Sequence, residues 1–212
     1  TDVQKSNLAN YILFRKMIID LLDKKLSMCD DGKLAKEAVI HDIFMPRKAI
    51  TDDLDMEGHN LWLLDERLTF HHFAASDQSI KQNMISDCKD RPDIVLFSDV
   101  DEQTRVARNV VIVELKRPER ESYSELVSDQ VFRMRDEIDA GKTVRQPNGR
   151  KLVVNGNTRY YCYALCDTAD KVQQVADRGG YEELPANLGY FKYYANLKMS
   201  AYITNYDMIV TD

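Results

Sequence analysis

The 212-residue chain has no apolar run approaching the ~20 residues that cross a bilayer, and no Cys-x-x-C pair among its cysteines at 29, 88, 162 and 166. The first absence excludes a membrane-spanning helix; the second gives no support to a zinc ribbon or a disulfide framework. Cysteines so scattered fit a reducing, cytoplasmic compartment. There is no glycine-rich phosphate loop, no G-x-S-x-G and no H-E-x-x-H, so phosphate-loop, serine-hydrolase and zincin chemistry find no support. Positive charge is not in surplus either: the formal net charge is −6, where a non-specific nucleic-acid binder is expected to be basic. That objection is limited, because a metal site concentrates carboxylates that divalent ions neutralise, and local patches govern binding more than the sum does. The chain opens Thr-Asp-Val, without an initiator Met or the basic-then-apolar layout of a secretory signal, as expected of a domain excised from a longer protein.

What is present is enough apolar material, 44% of residues, for a single mixed α/β domain with decorations. Residues 5–26 place Leu8, Tyr11, Ile12, Ile18, Ile19, Leu22 and Leu26 at helical spacing, predicting a helix packed on the core and closed by Gly32. A second helix is expected over 33–44, stopped before Pro46, with Glu37 and His41 four apart on one face. Residues 47–58 read as loop. Leu61 to Leu64, then Leu68, Phe70 and Phe73, read as a strand with a bend, helix being the alternative.

Ile94 to Phe97 follow Pro92-Asp93 as a short β-forming run, and Val110 to Leu115 form a nearly continuous apolar strand, the pattern of one covered on both faces. Ser122-Tyr123-Ser124-Glu125 fits a capping box opening a helix that runs to Gly141. Pro147-Asn148-Gly149 and Asn155-Gly156 are turn signals, Tyr160 to Cys166 is a further strand, and Tyr190 to Tyr206 reads as one or two strands and a terminal turn.

The chemistry sits in Pro92-Asp93, twenty residues, then Glu114-Leu115-Lys116. Alternation along a strand sends Glu114 and Lys116 to one face and Leu115 to the other. Two charges at the end of a dry strand carry a desolvation penalty of several kcal/mol per ion. If the strand after Asp93 pairs with the one before Glu114, two carboxylates converge and repel unless a cation separates them. Such oxygen ligands suit Mg²⁺ or Mn²⁺, and Lys116 can serve a water attacking a phosphate.

These residues resemble the PD-(D/E)XK motif of the restriction-endonuclease-like superfamily. The resemblance covers roughly residues 33–167 and implies an α-β-β-β-α-β core in an α/β (α+β, mixed-sheet) fold. Residues 1–32 then form an N-terminal helical extension and residues 168–212 a C-terminal addition of strands, within one domain. It implies metal-dependent cleavage of nucleic acid, DNA being expected, with Asp93, Glu114 and the Leu115 carbonyl on the metal. It further implies a carboxylate on the first core helix, for which Glu37 is the choice and Glu66 the alternative, and a Gln on the second, Gln130. Arg117, Arg120, Arg133 and Arg135 are the candidate phosphate contacts. The runs His59 to Leu68 and Glu114 to Pro118 also look like nuclease domains joined to bacterial GHKL-type ATPases of anti-phage systems, implying an ATPase domain on the same or a partner chain; the superfamily's habit of cutting as dimers implies a homodimer.

Blander readings stand beside these. Glu114 and Lys116 as an exposed ion pair would contribute only ~0–1 kcal/mol, and Glu37 or Gln130 could be ordinary helix residues. His71 and His72, adjacent on a strand, would face opposite ways. Cys162 and Cys166 fit buried small hydrophobes. A nuclease-like module without catalysis, used for DNA binding or docking under ATPase control, is the rival function.

Overall fold

The computed structural model describes residues 2–27, 35–54, 58–78, 91–118, 127–141, 143–146, 148–167 and 170–211. Ten elements carry the architecture: helices α1 (Asp2–Leu26), α2 (Glu37–Phe44), α3 (Val127–Gly141) and α4 (Asp170–Gly179), and strands β1 (Phe73–Ser76), β2 (Ile94–Val100), β3 (Ala107–Leu115), β6 (Arg159–Leu165), β8 (Gly189–Tyr194) and β9 (Met199–Thr204). Strands β4 (Thr143–Arg145) and β5 (Lys151–Val153) form a small hairpin, β7 (Glu182–Glu183) an edge, and α5 (Asp207–Val210) a terminal turn.

Seven strands form one mixed sheet in the order β1-β2-β3-β6-β9-β8-β7. β1, β2 and β3 are an antiparallel meander, β3 pairs β6 in parallel, and β6 pairs β9 in parallel. Read along the chain, α2, β1, β2, β3, α3 and β6 give the expected α-β-β-β-α-β order. β3 is central because its residues are apolar on both faces: Val111, Val113 and Leu115 join the cluster beneath α1, α2 and α5, while Val110 and Ile112 join the one beneath α3. Each such buried side chain contributes about 1.5–3 kcal/mol of transfer free energy. Cys162 and Cys166 are buried in the core as expected; Cys29 and Cys88 lie outside the described residues.

Several expectations change. The run from Leu61 is two short 3-10 turns, Leu61–Leu63 and Glu66–Thr69, and the first core strand starts only at Phe73. Asp65 explains this, since its side chain accepts the Arg67 amide and caps the second turn. His71 and His72 therefore precede the strand; His71 lies 4.9 Å from His59, ring to ring. α2 begins at Glu37 rather than 33; Gly32 and the Ser122–Glu125 capping box lie outside the described residues. Residues 170–179 form a helix that the sequence reading did not contain, with Val172 and Ala176 packed on Ala164 and Tyr190. The largest correction concerns α1. Its C-terminal part packs on the core through Ile18, Ile19, Leu22 and Leu26, but Leu8, Tyr11 and Ile12 are more than half exposed.

His59 makes a prediction. Burial, then His71 beside it, pulls its pKa down from 6.5 to about 4. A depressed histidine pKa means the unfolded chain protonates first, so the stability it holds is full above pH 6.5 and lost as pH falls toward 4. His59→Asn is expected to remove about 2 kcal/mol of the parent's loss between those limits. Urea unfolding of both proteins at pH 7 and pH 4.5 checks it; parallel losses in parent and variant contradict it.

Candidate active site

Asp93 lies immediately before β2, and the register Ile94 opposite Val113 sets its side chain beside the end of β3. One of its carboxylate oxygens, Oδ2, accepts the Leu115 amide at 2.7 Å. Its main-chain carbonyl accepts the amide of Asp77 at 2.8 Å. Glu114, the penultimate residue of β3, is almost wholly buried. The Lys116 ammonium donates to Glu114 Oε1 at 2.6 Å and to Gln130 Oε1 at 2.9 Å. The three residues expected from the motif therefore converge, and Gln130 of α3 joins them. Glu114 and Lys116 keep 5% and 12% of their side chains exposed, so theirs is not a surface ion pair.

Glu37, at the first turn of α2, approaches from the opposite layer and accepts the Arg117 amide on Oε2 at 3.2 Å. Glu66 goes elsewhere: it is exposed and ion-paired to Arg15, which stacks over Trp62 at 4.0 Å. Glu37 is thus the helix carboxylate at this site. Arg117 is exposed beside it, and Arg133 is exposed on α3 one turn beyond Gln130; Arg120 lies outside the described residues. Arg135 departs from expectation. Its guanidinium lies 4.7 Å over the Tyr160 ring, pairs with Asp136 and Asp139 and donates to the Leu197 carbonyl. Tyr160 pairs with Val110, four residues back along β3 from Glu114, about 13 Å at strand rise. Arg135 braces the fold there and does not reach this site.

The electrostatics are those of carboxylates crowded in a dry place. Burial, then the neighbouring Glu114, pushes Asp93 up to about 8, and Glu37 adds to the repulsion. Burial also raises Glu114, against the pull of Lys116. Among the described residues Glu114 Oε2 is buried with no hydrogen-bond partner, an acceptor left unsatisfied where such a loss costs about 1–3 kcal/mol or more. Both penalties would be relieved by a hard divalent cation held by Asp93 and Glu114, which would supply a partner for the orphan oxygen and offset the repulsion. The donor set of Asp93, Glu114 and the adjoining Leu115 main chain therefore fits Mg²⁺ or Mn²⁺. Among the described residues no three His, Cys, Asp or Glu side chains close up into a ready-made cage, so water and substrate oxygens would have to complete the shell.

Two further residues belong to this site and carried no functional reading from sequence. His41 is buried on α2, one turn after Glu37; its Nε2 meets Ser76 Oγ at 2.8 Å, and its Nδ1 lies 3.6 Å from Asp93 Oδ1. Burial lowers its pKa to about 4, so at neutral pH it is an uncharged tie between α2, β1 and Asp93. Its spacing from Glu37 was the available signal. Tyr206, from the C-terminal addition, donates its hydroxyl to the Lys116 carbonyl at 2.6 Å, while the Lys116 amide donates to Leu165. Lys116 is thereby fixed at both main-chain ends. No signal in sequence links positions 116 and 206. No family model, curated protein or solved structure matches this chain.

Proposed function

We propose that the protein is a metal-dependent phosphodiesterase acting on nucleic acid, DNA being the expected substrate. The observation that carries the reading is the meeting of Asp93, Glu114 and Lys116 at one strand end, with a buried carboxylate oxygen on Glu114 that has no partner among the described residues. A resident Mg²⁺ or Mn²⁺ would supply polarisation of the phosphoryl group and a more acidic water. The chain's own residues do the rest. Asp93, held by the Leu115 amide, and Glu114 present oxygens to the cation, and the Leu115 carbonyl adds a third in this reading. Lys116, steered by Gln130, places its ammonium beside the attacking water and stabilises negative charge as it builds on the phosphate. Glu37 adds a carboxylate from the opposite side, and Arg117, Arg133 and Arg120 contact flanking phosphates.

The resemblance of the motif supports a PD-(D/E)XK assignment and, more remotely, a place in bacterial anti-phage defence under an associated GHKL-type ATPase in the cytoplasm. Among the described residues no helix is long and apolar enough to cross a membrane. The acidic net charge favours the rival reading, a catalytically silent docking or DNA-binding module.

Incubation with supercoiled plasmid, linear duplex and single-stranded DNA or RNA, each with Mg²⁺, Mn²⁺ or EDTA, separates the two. Nicking or degradation that requires the cation is the expected result. No cutting of any substrate under any condition, by protein that is folded by circular dichroism, would move the assignment to the docking module.

A further inference from the structure

The sheet turns a set of aromatic rings toward a face that the fold leaves largely open. Across β6, β9 and β8 the register places Tyr163, Tyr202 and Phe191 in one row and Tyr161, Ser200 and Tyr193 in the next. Side chains two apart on a strand share a face, so these six positions form one patch, and all but Ser200 are rings. Tyr163 and Tyr202 stack at 4.8 Å with their planes 8° apart, and Phe191 lies 4.9 Å from Tyr202. Tyr163 is buried, Tyr161, Tyr202 and Phe191 are partly exposed, and Tyr193 is 57% exposed.

The other face of these strands is covered. Met199 and Ala201 lie in the cluster beneath α3, and Ala164, Tyr190 and Ile203 lie against Val172 and Ala176 of α4. On the ring-bearing face α1, α2 and α5 pack over β2, β3 and β6; among the described residues that cluster takes only Tyr202 from β9 and nothing from β8. A sheet face left to solvent ordinarily carries polar side chains. Adjacent rings in that place mark a contact surface.

Charge decides what fits it. Arg159, on the same face two residues before Tyr161, is exposed, and so is Lys198 beside it, whose carbonyl accepts the Tyr160 amide. Arg67 is exposed and ion-paired with Asp65, near enough for its positive charge to oppose the burial that raises the pKa of both stacked tyrosines. Flat rings bordered by cations are matched by flat bases joined by phosphates; a neutral sugar or an apolar peptide would use the rings and leave the cations idle. Base faces are free only where a strand is unpaired, since a duplex stacks them on one another. From this arrangement we infer that the β6-β9-β8 face binds a single strand of nucleic acid, with roughly two or three bases stacked on Tyr161, Tyr202, Phe191 and Tyr193 and phosphates at Arg159, Lys198 and Arg67. Glu182, exposed and opposite Phe191 on β7, repels phosphate and closes the outer edge. Ala164, the partner of Glu114, directly follows Tyr163, so the platform begins at the level of the cation site. The inference deepens the nuclease reading by naming unpaired nucleic acid as its substrate class, and rests on it to that extent; the binding itself needs no cation.

Fluorescence anisotropy of dye-labelled oligothymidylate and oligouridylate of about 12 nucleotides, a length such platforms engage, and of a duplex of equal length, all in EDTA, tests it. Both single strands are expected to bind at least about tenfold more tightly than the duplex, and the tighter of the two names the natural sugar. Tyr193→Leu, which keeps an apolar side chain but removes the ring at an exposed site, is expected to weaken binding about 5–100-fold, and Tyr193→Phe to leave it intact. Arg159→Gln is expected to lower the slope of log affinity against log salt by about 0.7, the contribution of one phosphate on a single strand. No binding of single strands by folded protein, a preference for the duplex, or binding indifferent to both Tyr193→Leu and Arg159→Gln overturns the inference. A chain that cuts with Mg²⁺ yet holds no single strand in EDTA loses the platform and keeps the nuclease. One that holds the strand in EDTA and never cuts keeps the platform and loses the nuclease.

Discussion

Lys116→Gln is expected to slow cation-dependent DNA cleavage by roughly 10²–10³-fold while leaving the fold and the cation site in place. The amide retains hydrogen-bonding reach toward Glu114 and Gln130, the two groups the ammonium touches at 2.6 and 2.9 Å. What it removes is a positive charge held in a water-poor site, where a fixed charge acts on a developing phosphate charge far more strongly than it would in bulk water. Lys116→Ala is the cruder variant, since it strands Glu114 as an unpaired buried carboxylate, a change that destabilises by about 3–5 kcal/mol. A rate loss in Lys116→Gln with an unchanged melting temperature isolates the chemical role. Unaltered cleavage by the Gln variant would remove Lys116 from the mechanism.

Asp93→Asn is expected to raise the stability of the cation-free protein and to abolish its response to Mg²⁺. The amide keeps an oxygen for the Leu115 N–H and ends the repulsion from Glu114 and Glu37. The sign follows from the raised carboxyl. With its folded-state pKa pushed up to about 8, the stability associated with Asp93 is full below about pH 4 and lost as pH rises toward 8. At pH 8 the cation-free parent is therefore at its weakest, and the Asn variant is expected to exceed it by about 1–3 kcal/mol, a rise of several degrees in melting temperature for a chain of this size. Saturating Mg²⁺ closes the gap from the other side, adding about 2.7 kcal/mol to the parent at a hundred times Kd and little to the variant. Thermal melts of both proteins at pH 8 with Mg²⁺ or EDTA read all four states. Equal Mg²⁺ responses in the two proteins contradict the account.

The motif residues were legible because strand alternation is a strong local rule: Val110 to Leu115 could hardly be anything but a covered strand, and Glu114 and Lys116 had to share a side. Gln130 and Glu37 were legible in part, their helices giving a face but not what that face meets. The misreading at Leu61 to Leu64 came from four successive apolar residues, which a strand and a pair of tight turns bury equally well; the Asp65 cap decided between them. Helix α4 escaped notice because its apolar stripe rests on little more than Val172, Val175 and Ala176. His41 stood in view as a neighbour of Glu37, but its ties to Ser76 and Asp93 span 35 and 52 residues, and the Tyr206 contact with Lys116 spans 90. The His41 ties arise from α2 lying against the β1-β2 end of the sheet and the Tyr206 contact from the sheet order β3-β6-β9, neither of which a local pattern encodes. If the proposed cation site is correct, His41→Ala and Tyr206→Phe are expected to weaken cation affinity about 10–100-fold, as the loss of such outer ties commonly does.

The claim on which the rest depends is that Asp93 and Glu114 form one cation site, and direct titration of Mn²⁺ followed by electron paramagnetic resonance addresses it. The parent is expected to quench the signal of free Mn²⁺ stoichiometrically, with Mg²⁺ competing, and Asp93→Asn and Glu114→Gln, both folded, are expected to quench little of it. Equal quenching by parent and variants, or none by the parent, would contradict it.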